Sequence, residues 1–539
     1  MLDQKNDLKV ERALVSVFDK TGLVEFGTVL KNLGVEIVAT GGTRTALEAA
    51  GVTTVPLEEI GHFPEMLDGR VKTLQPEIFA GILARKPSQE HMKQISSLGV
   101  KPFDMIVCNF YAFEAAAERN STNEELVEMI DIGGPSLVRA SAKNFESVCV
   151  VPSSGLYPEV TAELGSSGGK ISFESRKKFA LKAFEIVSAY DNAIFNTLTR
   201  RMFPAKSFPD SFFLSSREFE VPKYGENPGQ KAMIYSINGT KGGIPEWKQI
   251  FGDTRSYNNH LDIASSFEIL EGFEETPAAA TVKHGQISGF AFSTSLADAY
   301  KLAHACDPEA DFGNTTVFNR EVDVETAKLV GKNEEDDGSV YTEIVLAPAY
   351  EKDALEILKA KQKKKMRLIQ TSSGTSYPYD VKIVQGLTLV QDSPDYRKKL
   401  DPSQVTVETK RAKPSAKDTS VLMGLWEVSR RVESNAIVIG NGEFSDGILS
   451  KLWTLGIGSF RKRNGATKIA LDNAGKRSQG AYCASDGFFP FPDSVELLGR
   501  SGVRAIVQPG GSINDKKVVE TSDRYSMPML FTHERAFKH

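Results

Sequence analysis

The stretch Ala13-Leu14-Val15-Ser16-Val17-Phe18-Asp19-Lys20-Thr21-Gly22 decides the fold of the amino-terminal part of the chain. Ala13 to Val17 is a short, nearly unbroken apolar run that stops at a polar, glycine-ended turn, the pattern of a strand buried on both faces. Thr21 to Leu33 then has the length and spacing of a helix, Glu36 to Ala39 of a second strand, and Thr43 to Ala50 of a second helix. Repeated strand-helix units of this length require a parallel sheet covered by helices on both sides, an α/β fold.

Both strand-to-helix turns carry anion-binding chemistry. Ser16, Lys20 and Thr21 lie in the first, and Gly42 and Thr43 in the second, Thr40-Gly41-Gly42-Thr43-Arg44. Glycines admit a close backbone approach, helix-start amides point outward, and Ser, Thr and Lys add donors to phosphate oxygens. Neither turn matches a P-loop or a dinucleotide fingerprint, and a pair of tight, capped turns fits the same residues equally well. Further on, Leu67 to Pro76 brings Arg70 and Lys72 together with a glycine, which suits an anionic ligand or a solvated loop. Strand Met105 to Cys108 leads into Asn109-Phe110-Tyr111, a polar group and aromatics that suit a heterocycle or a core. In Ile130 to Asn144, Asp131 precedes a double-glycine turn and a helix, with Lys143 twelve residues after the acid. Arg139 and Lys143, four apart, share a face of that helix.

Ser175 to Leu198 is a long amphipathic helix, and the proline-containing stretch Phe203 to Ser211 reads as a linker. The chain is therefore expected to divide into residues 1–203 and 204–539. In the second part, Ala278 to Val282 is a buried strand ending at Lys283-His284. Histidine is the side chain able to take and give a proton near neutrality, but the dipeptide by itself fits a surface lysine beside a structural histidine as well. Lys223 and Tyr224 lie in a turn-rich stretch, and Asn259 in Tyr257-Asn258-Asn259-His260; these groups suit a base and ribose, or ordinary turns. An internal repeat is visible. The helix around Ala297 to Cys306, Ile344 to Pro348, the helix Asp353 to Lys361 and the strand Met366 to Ile369 are echoed by Lys468 to Ala474, Ala505 to Pro509, Lys516 to Ser522 and Met529 to Phe531. Such a succession predicts a duplicated α/β unit.

At 539 residues the chain exceeds a single ordinary core. A formal charge of −5 over that length argues against a general nucleic-acid or membrane binder. The four cysteines lie far apart, forming neither a metal pair nor a disulfide framework. With no signal peptide and no bilayer-length apolar run, a cytoplasmic location is expected.

Taken in order, these motifs resemble a known family. Ser16 to Gly22, Gly41-Gly42-Thr43, Gly69 to Leu74, Asp131 to Gly134 with Lys143, Lys283-His284, Ser485-Asp486-Gly487-Phe488-Phe489-Pro490-Phe491, Gln508 to Ser512 and Arg535-Ala536-Phe537-Lys538-His539 look like the bifunctional purine-biosynthesis family. That family joins an IMP cyclohydrolase to a transformylase acting on 5-aminoimidazole-4-carboxamide ribonucleotide (AICAR). The resemblance implies a methylglyoxal-synthase-like parallel-sheet domain followed by two cytidine-deaminase-like α/β units without a deaminase zinc. It implies 10-formyltetrahydrofolate as cosubstrate, no catalytic metal, room for a structural monovalent cation, and a homodimer with small-molecule substrates. By resemblance, His284 is the base for the attacking amine, Lys283 a proton donor or oxyanion stabiliser, and Asn435 an orienting group. Lys223, Tyr224, Asn259, Arg463, Phe488, Arg535 and His539 line the nucleotide and folate site. Ser16, Lys20, Thr21, Gly42, Thr43 and Arg70 hold phosphate in the first domain, while Lys72, Tyr111, Asp131 and Lys143 handle protons and the oxyanion.

The chain departs from the family pattern in several places. Gln286-Ile287-Ser288-Gly289 follows His284 where a proline-containing turn is usual, Lys223 replaces an arginine, Phe18 a serine and Gln75 a histidine, and the segment from Gly440 to Phe460 diverges. The alternative these departures suggest is an enzyme that retains ring closure alone.

Overall fold

The computed structural model describes residues 7–61, 64–67, 69–119, 121–204, 208–238, 240, 242–310, 312–331, 341–361, 365–372 and 377–539. Of the expected linker, 205–207 fall outside the described residues. The chain divides into two compact units, Met1–Arg217 with Ile237–Gly239, and Glu218–Ser236 with Thr240–His539. Among the described residues no helix is long and apolar enough to cross a membrane.

The first unit is built on a five-stranded, wholly parallel sheet in the order Val55–Pro56, Glu36–Ala39, Arg12–Ser16, Met105–Cys108, Cys149–Val151. Its central strands are buried almost throughout, as their continuous apolar sequences demand. The helices Leu23–Asn32, Gly41–Ala49, Pro76–Leu83, Gly133–Lys143 and Phe173–Met202 accompany it. Cys108 and Cys149 are core residues. Strand order reverses between Arg12–Ser16 and Met105–Cys108. Crevices at such a reversal, beyond the carboxyl ends of the strands, are where open α/β sheets take ligands.

In the second unit a single sheet of twelve strands carries the duplication. The order is Lys248–Phe251, Arg367–Gln370, Thr342–Ala347, Asn314–Phe318, Ala278–Lys283, Gln286–Phe292, Ile448–Ser459, Ala436–Ser445, Tyr482–Ser485, Ala505–Gln508, Met529–Phe531, Thr406–Val407. From either edge the pairings run antiparallel, parallel, parallel, antiparallel, antiparallel, and the two halves meet in one antiparallel pairing of Gln286–Phe292 with Ile448–Ser459. The repeat read from the sequence is thus present as two six-stranded copies.

In each copy the edge strand is followed by a 14-residue helix, Tyr257–Leu270 and Ala416–Ser429, and each helix starts in a capping box, Ser256 with Asn259 and Ser415 with Asp418. The first hairpin of each copy turns through two residues of positive φ: His284 at 51° and Gly285 at 75°, then Asp446 at 52° and Gly447 at 80°. Left-handed conformation at both central residues is what a two-residue hairpin needs to match strand twist. This corrects the sequence reading at two points. Strand Ala278–Lys283 runs one residue past the Val282 end expected from its apolar run, and its antiparallel return puts His284-Gly285 in a hairpin turn. Gln286 to Gly289, where the family pattern places a turn, is the returning strand. Gly289 is needed there, because a side chain would lie 1.9 Å from the carbonyl oxygen of Ala303 in helix Leu296–His304.

Candidate active sites

In the first unit the reversal of strand order brings loop 17–22 against Asn109. The Asn109 side-chain oxygen accepts from the backbone N–H groups of Phe18 and Asp19 (2.6 and 3.0 Å), and its amide donates to the Asp19 carbonyl at 2.8 Å. Those two loop amides are therefore committed to Asn109. The helix start at Gly41 remains as the donor surface. Its N-cap, Thr40, makes no side-chain capping bond and instead donates its hydroxyl to Ser16 Oγ at 3.0 Å. First-turn N–H groups have no intrahelical partner, and the helix dipole favours an anion there. Two ammonium groups converge on this point. A side chain at Gly41 would meet Lys72 Nζ at 2.8 Å, and one at Gly42 would meet Lys20 Nζ at 3.8 Å.

The other expected phosphate ligands are placed differently. Thr43 is buried, and its hydroxyl accepts from Val17 N–H and donates to Val17 carbonyl (3.1 and 3.0 Å), clamping the strand end. Thr21 donates its hydroxyl to Asp19 at 2.7 Å. Arg70 is exposed and pairs with Glu128.

Beside the cations lies a proton-handling group. Lys72 pairs with Glu65 at 2.7 Å. Asp131, half-buried, accepts from the Gly134 N–H at 2.8 Å, while its own N–H is held by the Tyr190 hydroxyl at 2.8 Å. Burial pushes the Asp131 carboxyl above its ordinary value against the backbone donors that oppose it. The Tyr111 hydroxyl is pushed up too, first by burial and then by the negative charge of Asp131, with Lys72 pulling the other way. Lys72, Tyr111 and Asp131 thus share one electrostatic field. Lys143 does not join them: it is exposed at the last turn of the helix that begins at Gly133, about 15 Å along the axis.

In the second unit, helix Tyr257–Leu270 organises one set of residues. Asp262 Oδ1 accepts from the Gly285 N–H at 2.7 Å, pinning the Lys283-His284-Gly285 turn. Burial raises the Asp262 carboxyl, while the Gly285 bond and the charges of His284 and Lys283 lower it. The imidazole of His284 is exposed, and Lys283 donates to the Phe312 carbonyl. Asn259 is buried. It completes the capping box and donates at 3.0 Å to Glu343, which also takes Arg367 at 3.1 Å. Lys223 is exposed and Tyr224 half-buried in a turn closed by Gly225 N–H on the Gln230 carbonyl, 2.9 Å.

A second set gathers on Asp486, which is fully buried. Its carboxylate takes Arg463, the Ser434 hydroxyl and, at 2.9 Å, the Ala436 N–H, and its carbonyl takes the Ala536 N–H at 3.0 Å. Arg463 in turn donates to Asn435 Oδ1 at 2.9 Å, and Asn435 donates to the Phe460 carbonyl at 3.1 Å. In the chain's last residues Arg535 stacks 4.7 Å above the Phe537 ring, and Phe537 meets His539 edge-on. Phe537 and Arg463 both close over Gly487, where any side chain would meet them at 2.4 Å; Phe488 follows, half-buried. Two bridges join the sets: Gln286 donates to Glu433 at 2.7 Å, and Lys538 donates to Glu268 of helix Tyr257–Leu270 at 2.6 Å.

Sequence reasoning gave no role to Asp262, Glu65 or Glu343, read Asn109 as a polar group beside a heterocycle or a core, and noted Asp486 only as part of a motif. Asp486 left a signal, an acid two residues past the end of the run Ala481 to Ala484. Asp262 left none, lying mid-helix 23 residues from the backbone it holds.

Comparison with known proteins adds to this geometry. Residues 22–136 match the model of the MGS-like domain, and residues 141–473 match that of the AICARFT/IMPCHase bienzyme. Curated relatives include a bifunctional purine biosynthesis protein PurH of Listeria monocytogenes serotype 4b and one of Caldicellulosiruptor saccharolyticus. Each is 39% identical over 98% of this chain and 100% of the relative. A Bacillus cereus protein of the same name is 38% identical over the same shares. A solved structure titled "Crystal structure of ForH" has 29% identity, covers 35% of this chain and 99% of its own, and superposes with a TM-score of 0.31. The chain belongs to the AICARFT/IMPCHase bienzyme family.

Proposed function

We propose that the chain catalyses two successive steps, formyl transfer to AICAR in the second unit and dehydrative closure to IMP in the first. Membership of the bienzyme family along its whole length supports both activities over ring closure alone. The cosubstrate in this reading is 10-formyltetrahydrofolate. No catalytic metal takes part, and a structural monovalent cation is compatible with it.

In the first step the 5-amino nitrogen of AICAR attacks the formyl carbon. That amine is conjugated with the imidazole ring and is a poor nucleophile, so a base must remove its proton as the bond forms, and His284 takes it. The tetrahedral oxyanion collapses, the bond to folate N10 breaks, and that nitrogen leaves protonated as tetrahydrofolate. Lys283 supplies the positive charge or proton on the leaving side, and Asn435, fixed by Arg463, orients the reacting groups. Lys223, Tyr224, Asn259, Phe488, Arg535 and His539 hold the nucleotide and folate. In the second step the carboxamide nitrogen attacks the new formyl carbon and water is lost. Lys20, Gly42 and Ser16 at the helix start hold the phosphate, while Lys72, Tyr111 and Asp131 move protons and balance the oxyanion; Thr21, Thr43, Arg70 and Lys143, which are engaged or placed elsewhere, take no part.

The single observation that carries the reading is the convergence on one hairpin turn of an exposed imidazole, an ammonium and the carboxylate of Asp262. The test supplies the full-length enzyme with AICAR and 10-formyltetrahydrofolate. Equimolar tetrahydrofolate and IMP are expected, and IMP without tetrahydrofolate would refute the coupling. The working form is a cytoplasmic homodimer, so specific formyl-transfer activity is expected to fall on dilution below the dimer dissociation constant. An activity independent of concentration down to demonstrably monomeric protein would remove the dimer from the account.

A further inference from the structure

We propose that Phe460, Arg461 and Lys462 form a specificity rim for the glutamate carboxylates of the folate cosubstrate. The inference rests on the assignment of formyl transfer to the Asn435 and Arg463 side of the second unit. Phe460 and Asn435 are paired through their backbones in both directions (3.2 and 3.1 Å), and Asn435 adds its side-chain bond to the Phe460 carbonyl. Whatever occupies Phe460-Arg461-Lys462 is therefore one to three residues from the group that orients the reaction.

Among the described residues, several cations of this unit are neutralised by carboxylates, and the two that follow Phe460 are not. Arg463 pairs with Asp486, Arg504 with Asp418, Arg367 with Glu343, Lys451 with Asp298 and Lys538 with Glu268. Arg461 and Lys462, both exposed, pair with no carboxylate among the described residues, and the neighbouring Asp493 is taken by Asn464 at 2.8 Å. Lys462 is also the N-cap of the 12-residue helix Arg463–Ala474, which has no side-chain cap, so the dipole adds to the two cations. Arg463 itself is only 6% exposed and keeps an unpartnered buried Nε.

Next to this positive field lies an exposed aromatic face. Phe460 is 41% exposed, and its ring is pressed on the first turn of that helix, where a Cβ on Gly465 would come within 2.3 Å of it. Arg461 sits 5.6 Å above the same ring. An aromatic ring joined to a dicarboxylate fits such a surface, and the p-aminobenzoyl-glutamate end of folate is that combination. AICAR offers an anion as well, its phosphate, but the whole ribose separates that phosphate from the imidazole ring, and it carries no dicarboxylate.

The two candidate anions separate in steady-state kinetics. With R461A/K462A, the KM for 10-formyltetrahydrofolate is expected to rise about ten-fold, from two partly screened charge contacts. The kcat, the KM for AICAR and ring closure of formyl-AICAR stay unchanged. The penalty disappears with 10-formyltetrahydropteroate, which lacks the glutamate, and grows with a triglutamate cosubstrate. In the unaltered enzyme, added salt raises the KM of the glutamate-bearing cosubstrate more than that of the pteroate. A raised KM for AICAR, an unchanged folate KM, or an equal penalty with the pteroate would overturn the proposal. Formyl transfer that survives His284→Ala overturns instead the site reading beneath it, a result independent of these KM ratios.

Discussion

At the scale of single residues, the hairpin turn shows how position confers a role that residue type alone does not. His284 adopts a left-handed backbone conformation, φ 51°, that only a minority of non-glycine residues tolerate, and a single hydrogen bond from Gly285 to Asp262 fixes it. Asp262→Ala leaves that N–H without its partner. Formyl transfer is expected to fall at least ten-fold, with a stability loss of about 1–3 kcal/mol, while ring closure of supplied formyl-AICAR is unchanged. Parallel assays of the two half-reactions and a denaturant titration check this. Asp131 makes a prediction of the opposite kind. Burial raises its carboxyl, so its ionised form is a cost to the folded state at pH values above its folded pKa, and Asp131→Asn is not expected to lower stability at neutral pH. Ring closure that needs the ionised form declines as the pH falls through a value above the ordinary carboxylate range of about 4, and the Asn variant loses the activity. Residues 131 and 284 became candidates through the family resemblance, because locally each fitted a structural role equally well. Asn109 shows the limit: adjacent aromatics suggested a heterocycle contact, whereas its amide is used up on the loop backbone.

Among elements, the most readable were the buried parallel strands. Glu36–Ala39, Met105–Cys108, Ala505–Gln508 and Met529–Phe531 have the bounds their apolar runs predict, because burial on both faces leaves no alternation to misread. The His284-Gly285 hairpin escaped notice since neither Asn-Gly nor Asp-Gly marks it, although its counterpart Asp446-Gly447 carries the usual signature. Duplication also predicts where stability is stored. Asn259 in the first copy has its counterpart in Asp418, which binds Ser415, the Tyr482 hydroxyl at 2.7 Å and Arg504 at 2.7 Å. Burial pushes the Asp418 carboxyl up, but the bonds from Arg504, Tyr482 and Ser415 outweigh it and hold it well below the usual carboxylate range; burial, then that bond, pushes the Tyr482 hydroxyl up to about 12. A carboxyl lowered by folding stabilises the native state above its unfolded pKa, and that contribution is lost as the pH falls below about 4 toward the folded value. Asp418→Asn is therefore expected to cost about 1–3 kcal/mol at pH 7, a difference that shrinks in acid. An equal deficit at pH 7 and at pH 3 would remove the linkage.

On the scale of the whole molecule, length and repeat pattern were enough to foresee more than one core, and the order of weak motifs along the chain was enough to foresee the family. The grouping of Lys283 and His284 with Asp262 was not legible, and that of Asn435 with Arg463 and the last residues of the chain was expected only through the resemblance. Both depend on contacts between segments far apart in sequence that no local pattern encodes. The central claim is that the two steps belong to separate sites, one in each unit. Its most direct test mixes two full-length variants, His284→Ala and Asp131→Asn, and follows tetrahydrofolate and IMP from AICAR and 10-formyltetrahydrofolate. Alone, His284→Ala is predicted to release no tetrahydrofolate yet close added formyl-AICAR, and Asp131→Asn to release tetrahydrofolate and accumulate formyl-AICAR; together they make IMP. Failure of His284→Ala to close added formyl-AICAR, or of the mixture to make IMP, would contradict the account.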